Sequence, residues 1–220
     1  GGGNIEIDEG EYVLKGNGSK STRPIVVNGD ADITLDNVQL ETNGTAMTIN
    51  KGATVTLNVK GQGNSLTSTN GSGIGVYQNS NIIIKGTGST GSQLTVTAGA
   101  GRNVGIGFII EGYHGGGTYG DIEISGVTLS VTANTGGENI DSGTAIGMTG
   151  ASYDSEDAVI CGNITISNAT VTANSKKLSA CIGTSAWNNN WQNCSLGVIS
   201  IKNSTVTATS GGLEGYSDTA

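Results

Sequence analysis

The sequence predicts an all-β fold: a single-stranded, right-handed parallel β-helix of about six to seven coils, with its long loops on one side. Three observations favour this fold: two short phrases recur along the chain, apolar residues alternate strictly within each phrase, and no apolar set has helical spacing. We expect all 220 residues to form one domain. The chain opens with Gly1-Gly2-Gly3 in mid-repeat, which is typical of a segment trimmed from a longer chain.

The first phrase alternates apolar and polar residues, as in Ile164-Thr165-Ile166-Ser167, and the two-residue period is that of a strand with one buried face. An Asn or Gly follows, and then a second alternating strand. From the copies of this phrase, we expect coils to start near Ile5, Ile33, Val55, Ile82, Ile122, Ile164 and Ile199. The residues expected to face the core are Ile33, Leu35, Ile49, Ile74, Ile106, Ile122, Ile124, Ile146, Ile164, Ile166, Ile182, Ile199 and Ile201.

The second phrase is a small residue followed by an apolar residue, usually Ile, and then often Gly. Its members are Ala46-Met47-Thr48, Gly73-Ile74-Gly75, Gly105-Ile106-Gly107, Ala145-Ile146-Gly147 and Cys181-Ile182-Gly183, with Pro24-Ile25-Val26 as a weaker first copy. Counted from Ile25, successive members lie 22, 27, 32, 40 and 36 residues apart. A period near 22 suits one turn of a three-sided coil, so the added length is expected in loops, because a lengthened strand would break register.

One repeat position, between the two strands of the first phrase, is occupied by Asn37, Gly126, Asn168 and Asn203. Asn and Gly tolerate a left-handed backbone, so we expect a corner of the coil at this position. Identical amides on successive coils also predict a ladder of side-chain hydrogen bonds along the axis. Both roles are structural.

The composition agrees with a narrow β-helix core, since the chain has 38 Gly, one Pro and few aromatic residues. The net charge of −8 argues against nucleic acid and against anionic membrane surfaces as partners. No apolar run is long enough to cross a bilayer, so membrane insertion is not expected.

The cysteine count of three is odd. Cys181 stands where other copies of the second phrase have Gly or Ala, which predicts a buried free thiol. Cys161 and Cys194 both precede the same strand on neighbouring coils, and we expect a disulfide between them. Such a bridge would fit an exported protein, outside the cell or at its surface.

The aromatic residues are concentrated in one loop type, the connection from the second phrase to the next copy of the first. The residues predicted to bind carbohydrate are Tyr77, Tyr113, Tyr119, Tyr153, Trp187, Asn189 and Trp191. Parallel stacking of coils directs these loops to one side, where rings stack on sugar C–H faces and amides bond hydroxyls. The alternative is that the rings fold back and cap the side of the β-helix.

Other polar clusters carry weaker signals. Asp154, Glu156 and Asp157 are candidate Ca²⁺ ligands in one of the aromatic loops, with a solvated acidic loop as the alternative. Asp30, Asp32 and Asp36 are ambiguous in the same way. His114 is the single histidine and has no nucleophile pattern nearby, so it is interpreted as a loop residue.

The alternation of the two phrases, as in Ile164-Thr165-Ile166-Ser167-Asn168 followed by Cys181-Ile182-Gly183, resembles exported right-handed β-helix proteins of anaerobic bacteria described as carbohydrate-binding-domain proteins. They are similar in fold to pectate lyases. The resemblance covers nearly the whole chain but rests on fold motifs, so it transfers no functional residue. It implies binding of acidic or cellulosic polysaccharides, in some members with calcium.

An enzyme of this fold is a weaker alternative. A lyase needs a column of carboxylates for Ca²⁺ with an Arg or Lys base, and an inverting glycosidase needs paired carboxylates on adjacent coils. The predicted outward column is Glu6, Thr34, Thr56, Ile83, Glu123, Thr165 and Ser200, in which the carboxylates are too far apart. Arg23 and Arg102 have no carboxylate cluster beside them in the repeat.

We therefore expect a non-catalytic, extracellular carbohydrate-binding or adhesion module whose partner is a polysaccharide or a glycan of a host or cell surface. A stalk segment without any ligand is the main alternative. The outward threonine columns also suggest ice binding, but loops are expected to interrupt any flat array.

Overall fold

The computed structural model describes residues 3–88, 91–101, 103–110, 116–133, 143–149, 158–176, 179–185 and 194–211. The strands in these ranges are, in chain order, β1 (Ile5–Ile7), β2 (Gly10–Lys15), β3 (Ile25–Val27), β4 (Ala31–Asp36), β5 (Gln39–Thr42), β6 (Met47–Ile49), β7 (Thr54–Lys60), β8 (Asn64–Ser68), β9 (Ile74–Val76), β10 (Asn81–Gly86), β11 (Gln93–Ala98), β12 (Ile106–Phe108), β13 (Gly117–Thr118), β14 (Ile122–Ser125), β15 (Thr128–Ala133), β16 (Ile146–Thr149), β17 (Val159–Cys161), β18 (Ile164–Ser167), β19 (Thr170–Ser175), β20 (Ile182–Ser185), β21 (Cys194–Leu196), β22 (Ile199–Lys202) and β23 (Thr205–Ser210). None of these residues belongs to a helix that could span a membrane.

The strands stack into parallel sheets, which confirms the predicted parallel β-helix. Sheet A has the order β1-β3-β6-β9-β12-β16-β20, and sheet B has the order β2-β4-β7-β10-β14-β18-β22. Sheet C has the order β5-β8-β11-β15-β19-β23, and a small sheet D has the order β13-β17-β21. Each coil passes from sheet B to sheet C to sheet A, and the described strands give seven layers in sheets A and B and six in sheet C.

The second phrase forms sheet A in the predicted register. Ile25 lies beside Met47, Met47 beside Ile74, and Ile74 beside Ile106. The column continues through Ile146 to Ile182. The unequal gaps between members therefore lie outside the strands, as expected.

The first coil differs from the prediction. Ile5-Glu6-Ile7 pairs with Ile25–Val27 and is the first strand of sheet A, whereas the first strand of sheet B is β2, whose Tyr12 lies beside Ile33. The Ile-x-Ile pattern shows only that one face is buried, and it is shared by strands of both sheets. The predicted coil start at Ile5 is therefore wrong.

A second correction concerns the coil that follows. Ile33 lies beside Leu57 rather than Val55, and Val55 lies beside Ala31 and Ile82. This shift of two residues leaves the same face buried, since side chains alternate with a period of two. The later starts at Ile82, Ile122, Ile164 and Ile199 are in the predicted register.

The core is a column of Ile, Leu and Val side chains between the sheets. The predicted inward residues are buried from Ile33 through Ile166, and Ile182 is half-buried and packs against the core. Ile199 and Ile201 are 39% and 49% exposed, contrary to the prediction. Both lie on β22, the last strand of sheet B in the described part of the chain, so no following strand covers them there.

The corner position between sheets B and C has the predicted backbone. Asn37, Asn168 and Asn203 have φ values of 56°, 49° and 48°, and Gly126 has 59°. The predicted amide ladder does not form at this corner: Asn37 Nδ2 donates to Asp36, and Asn37 Oδ1 accepts from the Gly63 N–H. Amides stack instead at the corner after sheet A, where Asn50 Nδ2 donates to Asn28 Oδ1 at 2.7 Å.

A different ladder fixes the start of sheet B on successive coils. The side-chain oxygen of Asn81 accepts the backbone N–H of Asp121 on the next coil at 2.9 Å, and Asp121 accepts that of Asn163 at 2.6 Å. Asn163 in turn accepts the N–H of Val198 at 2.9 Å, and Asp30 accepts that of Thr54 at 2.8 Å. Four coils thus enter sheet B at a point held by a side chain of the preceding coil.

Candidate functional site

The aromatic loops connect sheet A to the following strand at one corner of the β-helix. On successive coils these connections are residues 77–80, 109–116, 150–158 and 186–193, and together we call them the loop face. Their flanking strands are parallel neighbours in sheet A, so the connections leave the rod on the same side, as predicted. Extra chain length also occurs at another corner, because residues 134–145 lie between sheet C and sheet A.

Sheet D forms the base of the three longer connections. Its strands β13, β17 and β21 are in parallel register, with Gly117 beside Val159 and Val159 beside Cys194. The inward side chains of Val159 and Cys161 are buried, whereas Ile160 points outward and is 48% exposed. The loops thus end in a small parallel sheet that continues the stacking of the main rod.

Tyr119 is a core residue, so its prediction as a sugar contact is wrong. Its side chain is 1% exposed and packs in a tilted arrangement against Phe108, with ring centroids 5.6 Å apart. Tyr119 directly follows β13 and faces the interior in line with Cys161. A sequence signal for this position was missed: Tyr119-Gly120, Cys161-Gly162 and Leu196-Gly197 each precede an Ile by the same distance and mark a further inward column.

Tyr77 is the one predicted ring of the loop face that the structure describes. It is half-buried, and its backbone N–H donates to the Ile49 carbonyl at 3.0 Å. The remaining predicted contacts, namely Tyr113, Tyr153, Trp187, Asn189 and Trp191, lie outside the described residues, as do His114 and Arg102.

The polar residues after Tyr77 hold neighbouring coils together. Gln78 Nε2 donates to the Gly116 carbonyl at 2.8 Å, and the Asn79 N–H donates to the Thr118 carbonyl at 2.8 Å. Ser80 Oγ donates to the Asn50 carbonyl at 2.7 Å. Gln78 and Asn79 thus hold the base of the next loop, and Ser80 holds the preceding coil.

The candidate metal ligands Asp154, Glu156 and Asp157 also lie outside the described residues. In the described part of the chain, no three His, Cys, Asp or Glu side chains are grouped closely enough to hold a metal ion. The carboxylates of Asp30, Asp32 and Asp36 each have a separate partner on the next coil. Asp30 accepts the Thr54 N–H, Asp32 accepts from the Asn58 amide, and Asp36 forms an ion pair with Lys60 at 3.0 Å.

The corrected register changes the outward column of sheet B. It runs Glu11, Asp32, Thr56, Ile83, Glu123, Thr165 and Ser200. Glu11 and Asp32 are therefore adjacent, contrary to the prediction that carboxylates in this column are far apart. Both are exposed on the outer surface of the sheet. The described arginine, Arg23, donates to the carbonyls of Gly3 and Asn4.

All three cysteines carry free thiols, so the predicted bridge between Cys161 and Cys194 is not formed. Cys161 lies beside Leu196, two residues out of register with Cys194. For a strand spacing of about 4.8 Å and a rise of about 3.3 Å per residue, their Cα atoms are about 8 Å apart. A disulfide needs about 4.4–6.8 Å. Burial and then the neighbouring Cys194 raise the pKa of Cys161 to about 12.

Cys181 is a buried free thiol, as predicted, and its Sγ lies 3.3 Å from Ser175 Oγ. In comparisons with known proteins, no family model, no curated protein and no solved structure matches this chain.

Proposed function

We propose that this chain is a non-catalytic extracellular module that binds polysaccharide, or a glycan of a host or cell surface, through its loop face. The observation that supports it is the stacking of β9, β12, β16 and β20 in sheet A, because four connections start from the ends of these strands at one corner of the rod. These connections contain both tryptophans of the chain and three of its six tyrosines, together with many Asn and Gly residues.

The stacking favours an extended ligand. Neighbouring coils lie about 4.8 Å apart, so the starting points of the four connections extend over about 14 Å, which exceeds the width of a single sugar ring. Rings presented at this interval would each stack on a different sugar of a chain, and the loop amides would bond its hydroxyls. We therefore expect oligosaccharides to bind more tightly than monosaccharides.

The sequence predicted that carboxylates on the outer surface of sheet B are far apart, which argued against an enzyme. That argument is weaker in the structure, because Glu11 and Asp32 are neighbours there. Both side chains are exposed, and Asp32 is engaged by Asn58. These two residues are the first to replace if a polysaccharide is shortened during incubation with the protein.

A glycan array followed by affinity measurement tests the proposal. Trp187→Ala and Trp191→Ala are each expected to cost about 1 kcal/mol of binding free energy, about a fivefold increase in Kd. Far-UV circular dichroism should be unchanged, because the core lies in the strands. The matched control is Tyr119→Phe, which removes only a hydroxyl from a ring in the core and should leave the Kd unchanged.

An array on which no glycan is bound, or tryptophan variants with the wild-type Kd, would contradict binding through the loop face. The ligand-free stalk would then be the better interpretation. Polysaccharide of unchanged chain length after incubation is expected for a binding module, whereas shortened products would favour an enzyme.

A further inference from the structure

The outer surface of sheet C is a regular array of hydroxyl groups. Strands β11, β15, β19 and β23 are paired along their full lengths, so their outward residues form unbroken columns. We call the following residues the hydroxyl face: Thr95, Thr97, Thr128, Ser130, Thr132, Thr170, Thr172, Thr205, Thr207 and Thr209. Ser65 and Thr67 of β8 extend two of its columns.

No insertion interrupts this array, contrary to the expectation that loops would break up any threonine surface. The connections of variable length lie before and after the sheet C strands. Along a strand, outward residues repeat at about 6.6 Å, and between strands they repeat at about 4.8 Å. The hydroxyl face is therefore a two-dimensional lattice with two short repeats.

The hydroxyl groups of this face are available to an external partner. Its members are exposed or half-exposed, and none makes a side-chain hydrogen bond to another described residue. The outward positions of β8, β11, β15, β19 and β23 carry no charged residue, since those that are not Thr or Ser are Gln93 and Asn174. The surface is neutral and has no aromatic ring.

Each threonine also presents a methyl group beside its hydroxyl, and branching at Cβ restricts both to few orientations. A neutral lattice of preoriented methyl and hydroxyl groups matches a partner that is itself periodic and is held by many weak contacts made at once. The oxygen atoms of hexagonal ice form surface rows with repeats of this size. A sugar chain is less well matched, because aromatic rings for stacking are absent from these outward positions.

We propose that the hydroxyl face binds ice. This site is separate from the loop face, and the inference does not depend on the proposed function. The outer surface of sheet B serves as an internal comparison, because it contains Thr165 in a column with Glu123 and other charged residues and so lacks a neutral lattice.

The test measures thermal hysteresis and the adsorption of fluorescently labelled protein to a single ice crystal. The wild-type protein is expected to show both, and Thr172→Tyr, at the centre of the array, is expected to lose most of each. Thr165→Tyr is the matched control, since it places the same ring on sheet B and should retain wild-type activity. Thr172→Val keeps a β-branched residue in the strand and replaces the hydroxyl with a methyl group, so it reports on the site even if the tyrosine variant misfolds.

Absence of both hysteresis and adsorption in the wild-type protein would overturn the proposal. So would an equal loss in Thr165→Tyr and Thr172→Tyr, or wild-type activity in a folded Thr172→Tyr protein. The proposal would also be wrong if the wild-type protein adsorbed to a crystalline polysaccharide and not to ice, and Thr172→Tyr abolished that adsorption. The hydroxyl face would then have a different occupant.

Discussion

Replacement of Gly107 by alanine is expected to destabilise the protein by about 3 kcal/mol or more. Gly107 is the glycine of the second phrase on β12, which pairs with β9 on one side and β16 on the other. A Cβ at this position would lie 1.8 Å from the carbonyl oxygen of Gly147 and 2.7 Å from its carbonyl carbon. The same arrangement recurs on the next coil, where a Cβ on Gly147 would lie 2.0 Å from the Gly183 oxygen.

The magnitude follows from this contact. Carbon and oxygen atoms that are not bonded approach to about 3.3 Å, so β12 and β16 would have to separate by about 1.5 Å. Overpacking of this kind costs about 1–3 kcal/mol, and each ladder hydrogen bond lost adds about 0.5–1.5 kcal/mol. For a chain of this size, a loss of about 3 kcal/mol lowers the Tm by about 6–12 °C.

Thermal and urea unfolding followed by far-UV circular dichroism measures the effect. The matched control is Gly44→Ala, because no atom lies within 4 Å of a Cβ at Gly44. The control should change the free energy of unfolding by less than about 0.5 kcal/mol. A Gly107→Ala protein whose free energy of unfolding lies within about 1 kcal/mol of the wild type would refute the reasoning about the glycine column.

Two further predictions concern buried polar groups. Asn64→Leu should destabilise the protein by about 1–3 kcal/mol and speed hydrogen exchange of the Val38 amide, because Asn64 Oδ1 accepts the Val38 N–H at 2.9 Å in a buried position. An unchanged exchange rate would contradict this. Burial raises the pKa of Cys161 from 9.0 to about 12, so the unfolded chain releases this proton while the folded protein retains it. The free energy of unfolding is therefore unaffected by this group below pH 9 and falls as the pH rises towards 12. In urea titrations across this window, the free energy of unfolding should fall less steeply for Cys161→Ala than for the wild type.

The strand register was predictable where the pattern distinguishes one alignment from the next. In sheet A the phrase is asymmetric, because a small residue and a glycine flank an apolar residue, and each copy from Met47 to Ile182 is in the expected register. At Ile5 and Ile33 the pattern is a plain alternation. Such an alternation fixes which face is buried but not which sheet the strand joins or whether it shifts by two residues.

The loop face was predictable in position but only partly in composition. Its corner follows from the order of the two phrases along the chain. The burial of Tyr119 depends instead on sheet D, whose short strands lie between the longer connections and sheet B. The positions of Cys161 and Cys194 were also only partly predictable. Both precede a strand of sheet B, but Cys161 lies three residues before Ile164 and Cys194 lies five residues before Ile199. The two cysteines therefore differ by two residues in register.

The ladder at the start of sheet B explains how loops of different length are accommodated by one regular rod. After each of the three longer connections of the loop face, the chain passes through sheet D and enters sheet B where a side-chain oxygen of the preceding coil, as in Asn81 or Asp121, accepts the incoming backbone N–H. The entry point is thus fixed independently of the path that the loop takes before it. Doubling the length of such a loop costs only about 0.6 kcal/mol of closure entropy, whereas one residue inserted into a strand would turn its buried side chains outward. The loop face can therefore differ between coils while the hydroxyl face of sheet C keeps its register.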